Sequence, residues 1–189
     1  MNKTLLLFLL FASIVRGDTE TLYCDTVSSP DQWTNFGGAD KATSVSDTID
    51  DNFIDETTQG QIQRFTLVNP ANIDETDRID SIIVRCRLMT PSGAGVVARA
   101  NHIVSSTAYG TNRNLTSSWA DYQEAYSTDP AGNDWTLSNI NSLKIEAEAV
   151  TIPILKRARC TRIFVEVYFT PVPAAPRRRI YQQYLLMGE

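Results

Sequence analysis

Apolar and polar residues alternate strictly along several stretches of this chain. That period of two predicts strands with one buried face and one wet face. In residues 81–89, Ile82, Val84, Cys86 and Leu88 share one side, and Ile83, Arg85 and Arg87 share the other. In residues 143–149, Leu143, Ile145, Ala147 and Ala149 stand opposite Lys144, Glu146 and Glu148. In residues 161–169, Ile163, Val165, Val167 and Phe169 stand opposite Arg162, Phe164, Glu166 and Tyr168. Residues 61–68 and 96–104 predict two further strands, and residues 119–126 predict an aromatic-rich one. One wet face per strand is the signature of antiparallel sheets that share an interior.

The segments between these strands carry turn chemistry. Asn69-Pro70, residues 91–95 (Pro-Ser-Gly-Ala-Gly) and residues 129–134 (Asp-Pro-Ala-Gly-Asn-Asp) are loops by composition. Residues 91–95 lie between two predicted strands and read as a hairpin. Residues 136–141 predict one helical turn, with Thr136 or Ser138 as its cap. Many short strands with regular turns define the fold class: all-β, an antiparallel two-sheet β-sandwich, jelly-roll-like.

Both ends differ from this body. Residues 4–15 are an apolar run behind Lys3, with Val15 and Gly17 small enough to flank a cleavage before Asp18. Residues 1–17 therefore read as a signal peptide or an apolar arm, and residues 18–170 as the sandwich domain. Residues 171–189 begin with prolines that favour an extended linker. Then come Arg177, Arg178 and Arg179, followed by Ile180, Tyr181, Tyr184, Leu185 and Met187, an apolar stripe at helical spacing. A short apolar peptide on a proline tether reads as a docking tail for a partner.

Composition narrows the chemistry. The 189 residues hold 17 basic and 22 acidic side chains, a formal net charge of −5, which speaks against nucleic acid as a partner. One histidine and three cysteines exclude two-histidine sites, four-cysteine zinc sites and dense disulfide scaffolds. His102 shares the parity of Val96, Ala98, Ala100 and Val104, so a buried histidine is expected. No residue nominates itself as a nucleophile or general base, so no catalytic residue and no cofactor are expected. The acidic stretch 47–56 offers oxygen donors to calcium, but without the spacing of an EF-hand. Cys86 and Cys160 are a candidate disulfide pair if their strands are neighbours. Trp119, Tyr122 and Tyr126 are candidate ligand-facing aromatics, with Trp33 and Trp135 as further members if all cluster on one face. Asn114-Leu115-Thr116 is a glycosylation sequon.

Four segments form a recognisable series. They are residues 33–38 (Trp-Thr-Asn-Phe-Gly-Gly), residues 80–87 (Asp-Ser-Ile-Ile-Val-Arg-Cys-Arg), residues 129–143 (DPAGNDWTLSNINSL) and residues 159–171, which end Tyr168-Phe169-Thr170-Pro171. In order and spacing, residues 30–171 resemble a β-sandwich module of tailed-phage and environmental-virus structural proteins. The resemblance implies a non-enzymatic virion component of decoration, tail or fibre type. It implies partners among other virion or surface-assembly proteins, self-association into a homo-oligomer, and a virion location. The alternative from a different class is a secreted or cell-surface module that binds glycan or a host surface.

Overall fold

A computed structural model describes residues 17–46 and 50–172 of the chain. The apolar leader or arm at 1–16 and the docking residues Arg177, Arg178, Arg179, Ile180, Tyr181, Tyr184, Leu185 and Met187 lie outside the described residues.

Among the described residues the fold is all-β, with eleven strands and two one-turn helices. In chain order the elements are β1 (Asp18–Asp31), β2 (Thr34–Phe36), α1 (Lys41–Ser44), β3 (Phe53–Glu56), β4 (Ile62–Leu67), β5 (Arg78–Met89), β6 (Val97–Val104), β7 (Thr107–Tyr109), β8 (Arg113–Asn114), β9 (Ala120–Tyr126), α2 (Leu137–Asn141), β10 (Lys144–Thr151) and β11 (Ala158–Thr170). In the first sheet β11 is central. It pairs with β5 along one edge, and β5 pairs with β9. Its other edge is shared by β3, extended by β2, and by the first half of β1. The second sheet runs β1–β4–β10–β6, and β7 and β8 share the outer edge of β6. All of these pairings are antiparallel.

The long strand β1 belongs to both sheets. Residues 18–23 pair with β11, and from Cys24 onward the strand pairs with β4. A register shift follows Cys24, and irregularities of this kind let a strand turn from one sheet to the other. The inner faces meet as the alternation requires. Ile82, Val84, Cys86 and Leu88 of β5 and Ile163, Val165, Val167 and Phe169 of β11 face Phe65 of β4 and Ile145, Ala147 and Ala149 of β10 in one buried cluster. Truncating a fully buried member such as Ile163 removes about 2–5 kcal/mol.

Three expectations are corrected here. Residues 91–95 do not form a hairpin, because β5 lies in the first sheet and β6 in the second. The segment is an arch between sheets, and Thr90 N–H and Leu115 N–H bond across it to Thr116 O and Val96 O. Cys86 and Cys160 do not form a disulfide. Both are free and buried, as is Cys24. Their strands are neighbours, but Cys86 stands opposite Ile163 and Cys160 opposite Leu88, so the thiols are out of step along the ladder. Burial pushes the Cys86 thiol up to about 12 and raises Cys24 and Cys160 well above the ordinary thiol range, which keeps these groups protonated and unreactive. The third correction concerns Tyr122 and Tyr126, which point inward. Tyr122 donates to Asn114 O at 3.3 Å, and Tyr126 packs on His102 with ring centroids 4.0 Å apart.

The loop of residues 129–134 does what its composition predicts. Asp129 Oδ1 accepts the N–H groups of Ala131 and Asn133 at 2.9 and 2.8 Å. These bonds hold the Asp129 carboxyl below the usual carboxylate range. Trp135 is buried and donates to Tyr126 O at 3.1 Å. Thr136 caps α2 by accepting Asn139 N–H at 3.1 Å.

Candidate functional site

The outer face of the first sheet is built by the wet positions of four strands, and the register sets them in rows. One row reads Arg162–Arg87–Asp121 across β11, β5 and β9. The next reads Tyr23–Phe164–Arg85–Gln123, starting on β1. A third reads Thr21–Glu166–Ile83–Ala125.

A bulge decides which of these side chains point outward. Cys160 pairs with Leu88 and Arg162 with Arg87, so Thr161 is an extra residue on β11. Thr161 is buried and donates through its hydroxyl to Asn52 O at 2.7 Å. The inserted residue reverses the phase of the strand. Cys160 and Ile163 both face the core, and Arg162, Phe164, Glu166 and Tyr168 all face out.

Arginines dominate the face. The Nε of Arg85 lies 2.8 Å from Glu166 Oε1, and its Nη1 donates to Gln123. The hydrogen bond to Glu166 raises the affinity of Arg85 for its proton. Arg87 grips Asp50 with two parallel bonds of 2.8 Å and donates to Asp121 at 2.9 Å. The bonds from Arg87 hold the Asp50 carboxyl below its ordinary range, with Arg162 adding a weaker attraction. Tyr168 donates to Glu166 Oε2 at 3.0 Å. Arg162 is different: among the described residues its guanidinium has no ion pair, while its buried Nε, like that of Arg85, has no hydrogen-bond partner. It lines a groove of about 400 Å³ together with Arg85, Asp121, Gln123, Phe164 and Glu166.

Aromatic rings stand on both sides of this groove. Tyr23, 45% exposed, lies with its ring centroid 5.7 Å from Phe164. On the other side Phe36, 41% exposed, stacks on Phe53 at 5.2 Å, and Phe53 meets Trp119 at 6.2 Å. The Arg159 guanidinium lies 4.4 Å over the Phe53 ring while bonding Asp55 at 2.9 Å. Trp119 is thus brought to an exposed cluster. Trp33 and Trp135, by contrast, are core residues, and with Tyr122 and Tyr126 turned inward the five aromatics share no face.

The acidic stretch is largely consumed by arginine. Asp55 pairs with both Arg157 and Arg159, Asp50 pairs with Arg87, and Glu56 Oε1 accepts the N–H groups of Thr57 and Thr58. Among the described residues no three His, Cys, Asp or Glu side chains gather in a way that could hold a metal ion. Residues 47–49 lie outside the described residues. His102 is buried against Tyr109, Tyr126 and Trp135, and desolvation lowers its pKa to about 4, with the charge of Glu124 pulling weakly the other way. It is a neutral core residue whose pKa lies far below that of a working base at neutral pH.

The groove residues Arg85, Gln123, Arg162, Phe164 and Glu166 and the outer rings Tyr23, Phe36 and Phe53 were not singled out by the sequence as a site. For those on β5 and β11 the signal is the wet face of the strand, where Arg, Phe, Glu and Tyr replace the usual lysine, threonine and serine.

These features define an antiparallel β-sandwich domain with an open polar and aromatic face on one sheet. No protein-family model matches the chain, and no curated protein matches it by sequence. Several solved structures align with it at low similarity. The CBM36-1 domain of a multidomain xylanase from the hindgut metagenome of Trinervitermes trinervoides is 9% identical, with a TM-score of 0.44 over 84% of this chain and 100% of that one. A structure titled "CBM4 structure and function" is 12% identical, with a TM-score of 0.42 over 72% of this chain and 94% of the other. The N-terminal cellulose-binding domain of Cellulomonas fimi β-1,4-glucanase C is 11% identical, with a TM-score of 0.35 over 76% and 88%. Likeness at this level leaves function to the side chains of this chain.

Proposed function

We propose that the protein is a glycan-binding module that holds a sugar chain on the outer face of its first sheet. The observation that carries this reading is the groove itself. It holds a guanidinium, Arg162, with open donors, set among planar polar side chains and flanked by exposed rings on two sides. Sugar hydroxyls both donate and accept, so neighbouring pairs of them suit Arg85, Gln123, Glu166 and Asp121, which present donors and acceptors side by side. The C–H faces of a pyranose are apolar and match the faces of Tyr23, Phe164 and Trp119. A rigid sheet fixes these groups before the ligand arrives, which lowers the ordering cost of binding.

A secreted or surface location fits such a role, and so does mounting on a virion. The residues that carry the virion resemblance in 129–143 are occupied by turn, capping and core duties, so they add nothing to either setting. The test is titration calorimetry against a panel of soluble polysaccharides, after a glycan array has named a ligand. Arg162→Ala and Phe164→Ala are each expected to weaken binding at least tenfold, a loss of about 1.4 kcal/mol or more. No binding to any glycan, or wild-type affinity in both variants, overturns the reading.

A further inference from the structure

The outer face of the first sheet sets two arginines directly opposite one another. Arg162 of β11 pairs in register with Arg87 of β5, and Arg85 stands two residues along the same strand. Like charges that face each other across a ladder, with Cβ atoms roughly 5 Å apart, repel and destabilise the pair. Arg85 and Arg162 both line the groove, with Asp121 and Glu166 as its acids.

The carboxylates around these arginines are shared unevenly. Arg87 takes two of them, Asp50 through parallel bonds of 2.8 Å and Asp121 at 2.9 Å. Arg85 takes Glu166 at 2.8 Å, and the second oxygen of that carboxylate accepts from Tyr168 at 3.0 Å. Three arginines thus meet three carboxylates, yet two of the arginines bind all three. Asp50 attracts Arg162 only at longer range. Among the described residues Arg162 has no ion pair, although a like charge stands across from it.

Such a guanidinium is a site for an anion, and its planar fork fits the two oxygens of a carboxylate. Building on the glycan-binding reading, we propose that the groove takes an acidic polysaccharide, with Arg162 binding the carboxylate of a hexuronate unit. The ligand supplies the counter-charge that the Arg87–Arg162 pair lacks within the chain. A neutral sugar leaves that repulsion in place and gives Arg162 only hydroxyl acceptors, which form weaker bonds than an ionised group. The chain as a whole carries −5, so a polyanion gains nothing from the overall field and the preference comes from this local contact.

Paired polymers test the proposal, because methyl esterification removes the charge and keeps the sugar backbone. Polygalacturonate, alginate and the methyl ester of each are titrated into the full chain by calorimetry at about 0.15 M salt. The wild type is expected to bind at least one acid about tenfold or more tighter than its own ester. Arg162→Gln should remove that preference and bring acid and ester to within about twofold of each other. Arg78→Gln deletes the same charge at an exposed position outside the groove and should keep the preference. Equal binding of acid and ester by the wild type, binding only to a neutral polysaccharide such as xylan, or the same effect from both substitutions overturns the proposal and leaves the glycan-binding reading standing. No binding to any polysaccharide, acidic or neutral, overturns both. Thermal melting of each variant confirms that it is folded before its affinities are compared.

Discussion

The two outer faces of the sandwich are made from the same kind of strand, yet they treat their charges in opposite ways. On the second sheet, Arg64, Glu146, Asn101, Glu148 and Arg99 come into contact across three adjacent strands. Arg64 Nε bonds Glu146 at 2.7 Å, Arg99 Nε bonds Glu148 at 2.7 Å, and Asn101 Nδ2 bridges both carboxylates at 3.3 and 2.8 Å. Glu146 is 1% exposed. Gly110 packs over this network so closely that a Cβ on it would collide with Ala100 O and Asn101 Oδ1. The charges there are closed against one another, with Glu146 covered and the two arginines part-exposed. On the first sheet Arg85 and Arg87 are paired and part-exposed like Arg64 and Arg99, but Arg162 is left with donors unanswered among the described residues. A network whose ion pairs are all closed contributes to one defined structure, whereas an unpaired guanidinium is available to a ligand.

That contrast predicts how each face responds to change. Glu146→Ala leaves Arg64 and Asn101 without their shared acceptor in a covered site, and it is expected to cost about 3 kcal/mol in urea unfolding. A loss below about 1 kcal/mol would mean that the second face is no more closed than the first. His102 supplies the next effect. Its folded pKa, near 4, lies below its ordinary 6.5, so the unfolded chain binds the proton more readily. The stability from neutral His102 is then complete above about pH 6.5 and is lost as pH falls toward about 4, by up to a few kcal/mol. Measured from pH 7 down to 4, His102→Phe should flatten this part of the profile. Gly110→Ala should cost about 1–3 kcal/mol, because backbone on the far side of the contact must move. The smallest effect belongs to the first face. Arg162→Ala should change unfolding free energy by less than about 0.5 kcal/mol while weakening glycan binding at least tenfold. A large loss of stability there would make Arg162 a structural residue.

Much of the fold is legible in the alternation of side chains. The strands at 78–89, 144–151 and 158–170 fall on stretches whose apolar positions recur every second residue, and those at 62–67, 97–104 and 120–126 on segments expected as strands with a weaker pattern. The short helix at 137–141 follows its Thr136 cap. The long first strand was not legible, because Thr19, Thr21, Tyr23 and Asp25 alternate with only Leu22 and Cys24 as clear core residues, and its second half is polar on both sides. The short strands β2, β3, β7 and β8 take their form from their neighbours, and two to four residues carry too little pattern to declare themselves.

Sequence by itself determined the strand faces, the acidic balance, the Asp129 turn and the buried histidine, since each depends on local spacing or on composition. The tertiary structure alone decided which wet residues meet. Register placed Arg162, Arg85 and Gln123 around one groove, a single extra residue at Thr161 turned Arg162 outward, and the division of β5 and β6 between two sheets turned an expected hairpin into an arch. The physical reason is that a strand fixes the direction of its own side chains, whereas the neighbours of those side chains are fixed by pairing with segments far away in the chain, as Tyr23 of β1 pairs with Phe164 of β11.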